Sequence, residues 1–398
     1  MKKILFISYN YPYGNFGAST LCTSRIMNAL AATKLYEIHC ISYAGSERRY
    51  ENIPGVVLHP ISISSRFKKK TIAQKLLSLI FYPINYIVSD FAHYKKAKDI
   101  CSKQKFDLVI SQCYPEQSVI SSVLLKRKGY IDNLMVIFWD NMYGKLSSKR
   151  SRRLSLMRQR VVESFISKYS NTIVSLYPIK EFHEKYGDVK NAIGKRFYLG
   201  IPSVSHPISP VETVHKSVIK EDKINILYSG TIINKKDVFH LVSLFNKSEY
   251  AKRINLVFFS QGLDNDVFIE LQKSFDGTIN NYGYIPVKEL HTIYYDVDVF
   301  LSLTGNPKAI RSKCYEYMSF GHPMMLLFDD ESDVNVSTFS NYPLSLAVDT
   351  RSNIDANVQI IDRFLSESTG KRVPFHEVES LFKLDSASAY VDLITKRL

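Results

Sequence analysis

Short, almost wholly apolar runs alternate with stretches of helical spacing along this chain, and the alternation is run through twice. An apolar run without polar alternates suits a strand covered on both faces, and a helix between two such strands makes them parallel neighbours in one sheet. The first series predicts strands at 2–8, 37–42, 56–61, 106–112, 134–139 and 172–176, with helices at 20–32 and up to Tyr169. The second predicts strands at 224–228, 254–260, 278–284, 297–303 and 324–328, with helices at 237–246, 267–275 and 287–295. From Ser352 the tail is mostly helical. At 398 residues the chain exceeds one typical core, so the expected class is α/β with two Rossmann-like doubly wound domains. An N-terminal domain is expected over 1–205, a linker with Pro207 and Pro210 over 206–222, and a C-terminal domain over 223–375. A last helical segment, 376–398, could pack back on the N-terminal domain.

Hydrophobic residues at 45% and charged residues at 23% exclude a disordered chain. The net charge of +14 favours a polyanionic partner: nucleic acid, an anionic membrane face, or a phosphorylated ligand. Arg66 to Lys70, ahead of an apolar and aromatic segment, suits lying on a membrane surface, or is a solvated charge run beside a buried helix. The basic stretch 149–160 also suits an anionic surface, and could equally be a nucleic-acid patch, although no helix-turn-helix, zinc-finger or RNP pattern accompanies it. The cysteines at 22, 40, 101, 113 and 314 form no CxxC pair and no zinc spacing, which fits a reducing cytosol. The N-terminal apolar run is too short for a signal peptide, and no run reaches a membrane span.

Residues 308–323, KAIRSKCYEYMSFGHP, carry the strongest chemical signal. Arg311-Ser312-Lys313 opens a short helix, Glu316 sits one turn in, and Gly321 stops it. The free N–H groups of a helix start attract anions, Lys313 adds a cation, and Glu316 can accept hydrogen bonds from a sugar diol. Together these suit a nucleoside diphosphate with its ribose. Alone, the stretch also reads as a capped helix with solvated cations. Its place after strand 297–303 and the turn Gly305-Asn306-Pro307 favours the ligand, because ligands gather at strand ends in parallel sheets.

A second candidate is Tyr228-Ser229-Gly230-Thr231 followed by Asn234-Lys235-Lys236, which could hold a diphosphate by amides and charge or be a solvated lysine pair. It is not the GxxxxGK[ST] loop, so a P-loop NTPase is not supported. In the loop after the first strand, Gly14, Gly17 and Ala18 allow close approach of a ligand, or simply make a turn. Trp139 and Asp140 end an apolar strand and could face a sugar; Asp140 could instead cap a turn. His59, His93 and His183 have no partner visible in the sequence. No GxSxG or HExxH occurs, and no DxD run marks a metal-held diphosphate, so no metal site is expected.

These residues together resemble a GT-B glycosyltransferase of the family-4-like group. The resemblance covers nearly the whole chain and is strongest over 224–328. Gly230 and Lys236 match the family's strand-end glycine and the lysine six residues on, while Thr231 stands where the family has arginine. Residues 281–298, NYGYIPVKELHTIYYDVD, are similar to the stretch preceding the family's donor loop. Glu316-Tyr317-Met318-x-x-Gly321-x-Pro323 resembles its E-x-M-x-x-G-x-P, whose Glu holds the ribose. Lys308 stands where the family often has a second Glu.

The resemblance implies two Rossmann-like domains facing a cleft. It assigns donor binding to Gly230, Thr231, Lys236, Gly305, Ser312, Lys313 and Glu316, an acceptor or phosphate loop to Gly14, Gly17 and Ala18, and a catalytic role to Asp140. The implied activity is metal-independent transfer of a hexosyl or related sugar from a nucleotide-sugar to a lipid-linked glycan in surface polysaccharide biosynthesis. The enzyme would work peripherally on the cytoplasmic membrane face, with no cofactor beyond its nucleotide-sugar substrate and no nucleic-acid partner. The alternatives are a nucleotide-sugar 2-epimerase on the same fold and a basic nucleic-acid-binding α/β protein.

Overall fold

The computed structural model describes residues 1–10, 17–44, 54–62, 87–113, 117–139, 160–177, 180–186, 189–207, 216–307 and 310–398. Gly14, Asp140, Lys308, the basic stretch 66–70 and nearly all of 149–160 lie outside them. The chain divides into two compact units: Met1–Pro202 with Leu384–Leu398, and Ser203–Lys383.

The first unit holds β1 (Lys2–Asn10), β2 (Tyr36–Ala44), β3 (Val56–Ser62), β4 (Leu108–Cys113), β5 (Leu134–Phe138), β6 (Thr172–Leu176) and β7 (Arg196–Leu199). Its helices include α1 (Gly17–Ala32), α2 (Ile87–Lys103) and α3 (Gln117–Arg127). The strands form one sheet in the order β3-β2-β1-β4-β5-β6-β7, with every pairing parallel. Successive residues of β1 enter opposite cores. Leu5 and Ile7 join Val109 and Val136 on one face, and Ile4 and Phe6 join Leu108 and Ile110 on the other. Burial on both faces is why these strands read as continuous apolar runs.

The second unit repeats the plan with β8 (Ile224–Thr231), β9 (Ile254–Gln261), β10 (Thr278–Asn281), β11 (Val299–Ser302), β12 (Met324–Phe328) and β13 (Ser345–Asp349). Their order is β10-β9-β8-β11-β12-β13, again all parallel. The helices that matter below are α4 (Lys236–Asn246), α5 (Val287–Tyr294) and α6 (Ser312–Ser319). The winding reverses after β10, so β8 and β11 are sheet neighbours whose following turns lead away to opposite sides. That is the topological switch point, where open α/β sheets bind ligands.

The last helix, α7 (Ala387–Arg397), belongs to the first unit. Ala389, Tyr390 and Ile394 pack with Ile26, Met27 and Leu30 of α1, and Tyr390 donates a hydrogen bond to the Gly200 carbonyl at 2.7 Å. All five cysteines are buried, and none of them forms a disulfide. Among the described residues no helix is long and apolar enough to cross a membrane.

Two histidines without visible partners in the sequence have them in the fold. His183 Nδ1 lies 2.9 Å from Glu163 Oε1, which Arg196 also contacts, and His59 Nε2 lies 2.9 Å from His39 Nδ1. Trp139, which on sequence alone could face a sugar, is a core residue. Its Nε1 donates to Gln112 Oε1 at 2.5 Å, and its ring lies 5.7 Å from Tyr390.

Candidate functional site at the strand ends of the second unit

The buried run of β8 ends at Ser229, and Gly230, still in register with Ser260 of β9, has φ +147°, a conformation that favours glycine. Two tyrosines hold this end in place. The Ser229 N–H donates to the Tyr317 hydroxyl at 2.9 Å, and the Tyr294 hydroxyl lies 2.5 Å from Ser229 Oγ. The Tyr317 ring stacks on Phe300 of β11, with centroids 4.3 Å apart. Burial pushes both phenols well above their usual range, and the Glu316 charge adds to the effect at Tyr294. The Tyr228 hydroxyl donates to the Thr231 carbonyl at 2.8 Å. Its phenol is pushed up to about 12 by burial, with Asp237 adding, while Arg311 and Lys313 oppose.

Beyond Gly230 the chain passes Asn234, whose Oδ1 accepts the Lys236 N–H at 3.2 Å, and enters α4. Its N-cap residue, Lys235, adds no side-chain cap of its own. Lys235 and Lys236 are exposed. Asp237 beside them is buried and turned to the neighbouring strand. Its Oδ2 accepts from the Thr304 N–H and hydroxyl, and its Oδ1 accepts from Asn234 Nδ2 at 2.8 Å. Burial raises the Asp237 carboxyl above the usual range and the Thr304 bonds oppose this.

The second turn follows β11. Among the described residues, a Cβ at Gly305 would meet only Arg311 Nε, at 3.6 Å, which leaves room for a methyl group. Arg311 precedes α6 and is held by structure. Its Nη1 donates to the Leu327 carbonyl at 2.9 Å, Nη2 pairs with Asp333, and the Asn335 side chain accepts its backbone N–H at 2.7 Å. The start of α6 has no side-chain cap and no acidic residue in its first turn. Ser312 and Lys313 are half-buried there. Lys313 Nζ donates to Glu316 Oε1 at 2.8 Å, and His291 Nε2 of α5 lies 3.1 Å from the same oxygen. Glu316 is only 7% exposed.

Gly230 and Thr231 therefore end β8 and Lys236 opens α4, while Gly305 follows β11 and Ser312, Lys313 and Glu316 lie in α6, at the ends of strands paired through Ile226–Val299 and Leu227–Phe300. Gly17 and Ala18 are the first residues of α1 in the other unit. The sequence did not single out Asp237, Tyr294, Tyr317 or His291. For His291 a signal was present: a histidine at helical spacing with Leu290 and Tyr294 on a buried face needs a polar partner. The uncapped start of α6, the lysines at the starts of α4 and α6 and the buried Glu316 form an arrangement that can bind an anion and, beside it, a hydroxyl-bearing group.

A scan of protein-family models and a search of curated protein sequences return no match. Among solved structures, the chain is similar to the N-terminal domain of trehalose-6-phosphate phosphatase from Candida albicans, with a TM-score of 0.62 and 13% identity over 100% of this chain and 97% of that one. It is also similar to the UDP-forming α,α-trehalose-phosphate synthase from Burkholderia xenovorans, with a TM-score of 0.59 and 12% identity over 100% and 98%. HepE from Anabaena, solved with UDP and glucose, gives a TM-score of 0.58 and 10% identity over 100% of both chains. At such identities the likeness speaks for the fold: two Rossmann-like units in one chain, the GT-B fold.

Proposed function

We propose that the chain is a glycosyltransferase that moves a sugar from a nucleotide-sugar, held by the second unit, to a glycan acceptor. The observation that carries this is the convergence of the uncapped start of α6, Lys236, Lys313 and the buried Glu316 on adjacent strand ends. A fold shared with a UDP-forming synthase and with a protein solved holding UDP and glucose supports the donor class.

As the bond from the sugar's anomeric carbon to the diphosphate oxygen breaks, negative charge gathers on the departing nucleoside diphosphate. The amides of Gly230 and Thr231, the start of α6 at Ser312, and the ammonium groups of Lys236 and Lys313 are proposed to stabilise it. Glu316 would accept hydrogen bonds from the ribose. Gly305 would let the β11 turn lie close to the donor. Asp140, Gly14, Gly17 and Ala18 are proposed for the acceptor side, with Asp140 in reach of the acceptor hydroxyl. The nucleotide-sugar is substrate, so this reading needs no resident cofactor.

Finer still, the proposed acceptor is a lipid-linked glycan and the proposed sugar a hexose or relative. The proposed workplace is the cytoplasmic face of a membrane. The net charge of +14 and the basic stretches at 66–70 and 149–160 support a negatively charged surface as partner. Metal independence belongs to the same proposal and predicts undiminished activity in excess chelator.

Calorimetric titration with UDP, GDP, ADP and CMP tests the donor site. One nucleotide should bind, and Glu316→Ala should lower transfer activity by about a hundredfold or more with the fold intact. Near-normal kinetics in that variant would refute the assignment, and conversion of the donor without acceptor would point to an epimerase instead.

A further inference from the structure

We infer that His291 is a positioning residue for Glu316, fixing the carboxylate that faces the ribose and so setting the site's preference for ribonucleotides. The inference rests on the donor-site proposal. Glu316 Oε1 receives two donors from two helices, Lys313 Nζ of α6 at 2.8 Å and His291 Nε2 of α5 at 3.1 Å. A carboxylate oxygen only accepts, so Nε2 carries the proton in this pair.

The surroundings of the imidazole show what the histidine is for. Its ring lies over Tyr294, with centroids 5.5 Å apart, and meets Phe320 edge-on at 5.2 Å. An apolar side chain would fill that place. Yet the buried Nδ1 has no hydrogen-bond partner among the described residues, a cost that leucine would not carry. The bond from Nε2 to Glu316 is what a histidine supplies there and leucine cannot. Lys313 reaches the same oxygen on a flexible stem whose side chain is 35% exposed, whereas the His291 ring is clamped in the core. The rigid partner therefore sets the plane of the carboxylate before a ligand arrives. Such preorganisation is what a carboxylate needs to distinguish a diol from a single hydroxyl.

The test uses the full chain and titration calorimetry with UDP, GDP and ADP, each against its 2′-deoxy and 3′-deoxy forms. Wild type should prefer the ribose form of its best ligand by about tenfold or more. His291→Leu should fold with an unchanged or higher thermal midpoint and lose that preference, while its affinity for the deoxy forms stays near wild type. His291→Gln, whose amide can still donate to the carboxylate, should regain part of it. A wild-type preference in His291→Leu, an equal loss for ribose and deoxy forms, or failure of His291→Leu to fold would each overturn the inference while leaving the donor site standing. No binding of any of the three nucleotides by wild type would overturn the donor site and this inference together.

Discussion

Asp237 Oδ2 accepts two hydrogen bonds from Thr304, one from its N–H and one from its hydroxyl, each 2.7 Å long. The two residues stand 67 positions apart, one in the first turn of α4 and the other just past β11. Their contact ties together the two turns that carry the candidate site. Asp237→Ala leaves the buried Thr304 N–H without its acceptor. The expected cost is about 1–3 kcal/mol, read as a lowered urea midpoint. Nucleoside diphosphate affinity should fall as well, because both turns lose their common brace. An unchanged midpoint would show that the contact does not support the fold.

Glycine is required at Gly321 and not at Gly305. Gly321 has φ +76°, and a Cβ there would lie 2.2 Å from the Val373 carbonyl oxygen. Gly321→Ala should cost more than about 2 kcal/mol, since backbone strain and a clash with main chain act together. Gly305 has ordinary room for a methyl group, so Gly305→Ala should leave the thermal midpoint within about 1 °C while weakening nucleotide binding, where the added methyl meets the ligand. Equal thermal midpoints for the two variants would contradict this division between a folding glycine and a ligand-facing one.

The fold, and the helix that carries the candidate site, were legible where local chemistry decides them. Strands such as β1, β8 and β12 are buried on both faces, so their sequences are continuous apolar runs. Of the edge strands, β3 and β10 were read and β7 and β13 were not. Arg196–Leu199 is mostly half-buried, and Ser345–Asp349 mixes exposed and buried positions, so neither carries an apolar run. At the site, Ser312, Lys313 and Glu316 share one short helix and announce themselves together. Asp237 and His291 act on partners 67 and 25 residues away, a distance over which spacing carries no signal. Trp139 misled for a related reason: its acceptor, Gln112, lies on the neighbouring strand β4.

His322 gives the second unit an acid-sensitive core. It is 2% exposed, and burial, helped by Arg372, lowers its imidazole from the usual range to about 3. The folded state therefore favours the neutral ring, while the unfolded chain takes up a proton near pH 6.5. The stability that this histidine contributes is complete above that value and is lost as pH falls from about 6.5 towards 3. Between pH 7 and pH 5 the loss should be about 2 kcal/mol, and His322→Leu should abolish it. Urea titrations of both proteins at the two pH values check this; parallel losses would show that other groups govern the acid response.

The central claim is that the ends of β8 and β11 hold the diphosphate of a nucleotide-sugar. The most direct measurement is a crystal structure of the full chain grown with the nucleoside diphosphate that binds best in solution. The account predicts phosphate oxygens within hydrogen-bond distance of the Gly230–Thr231 amides and the start of α6, with the ribose hydroxyls on Glu316. Density for the nucleotide elsewhere, or an empty pocket at these strand ends under saturating ligand, would contradict it.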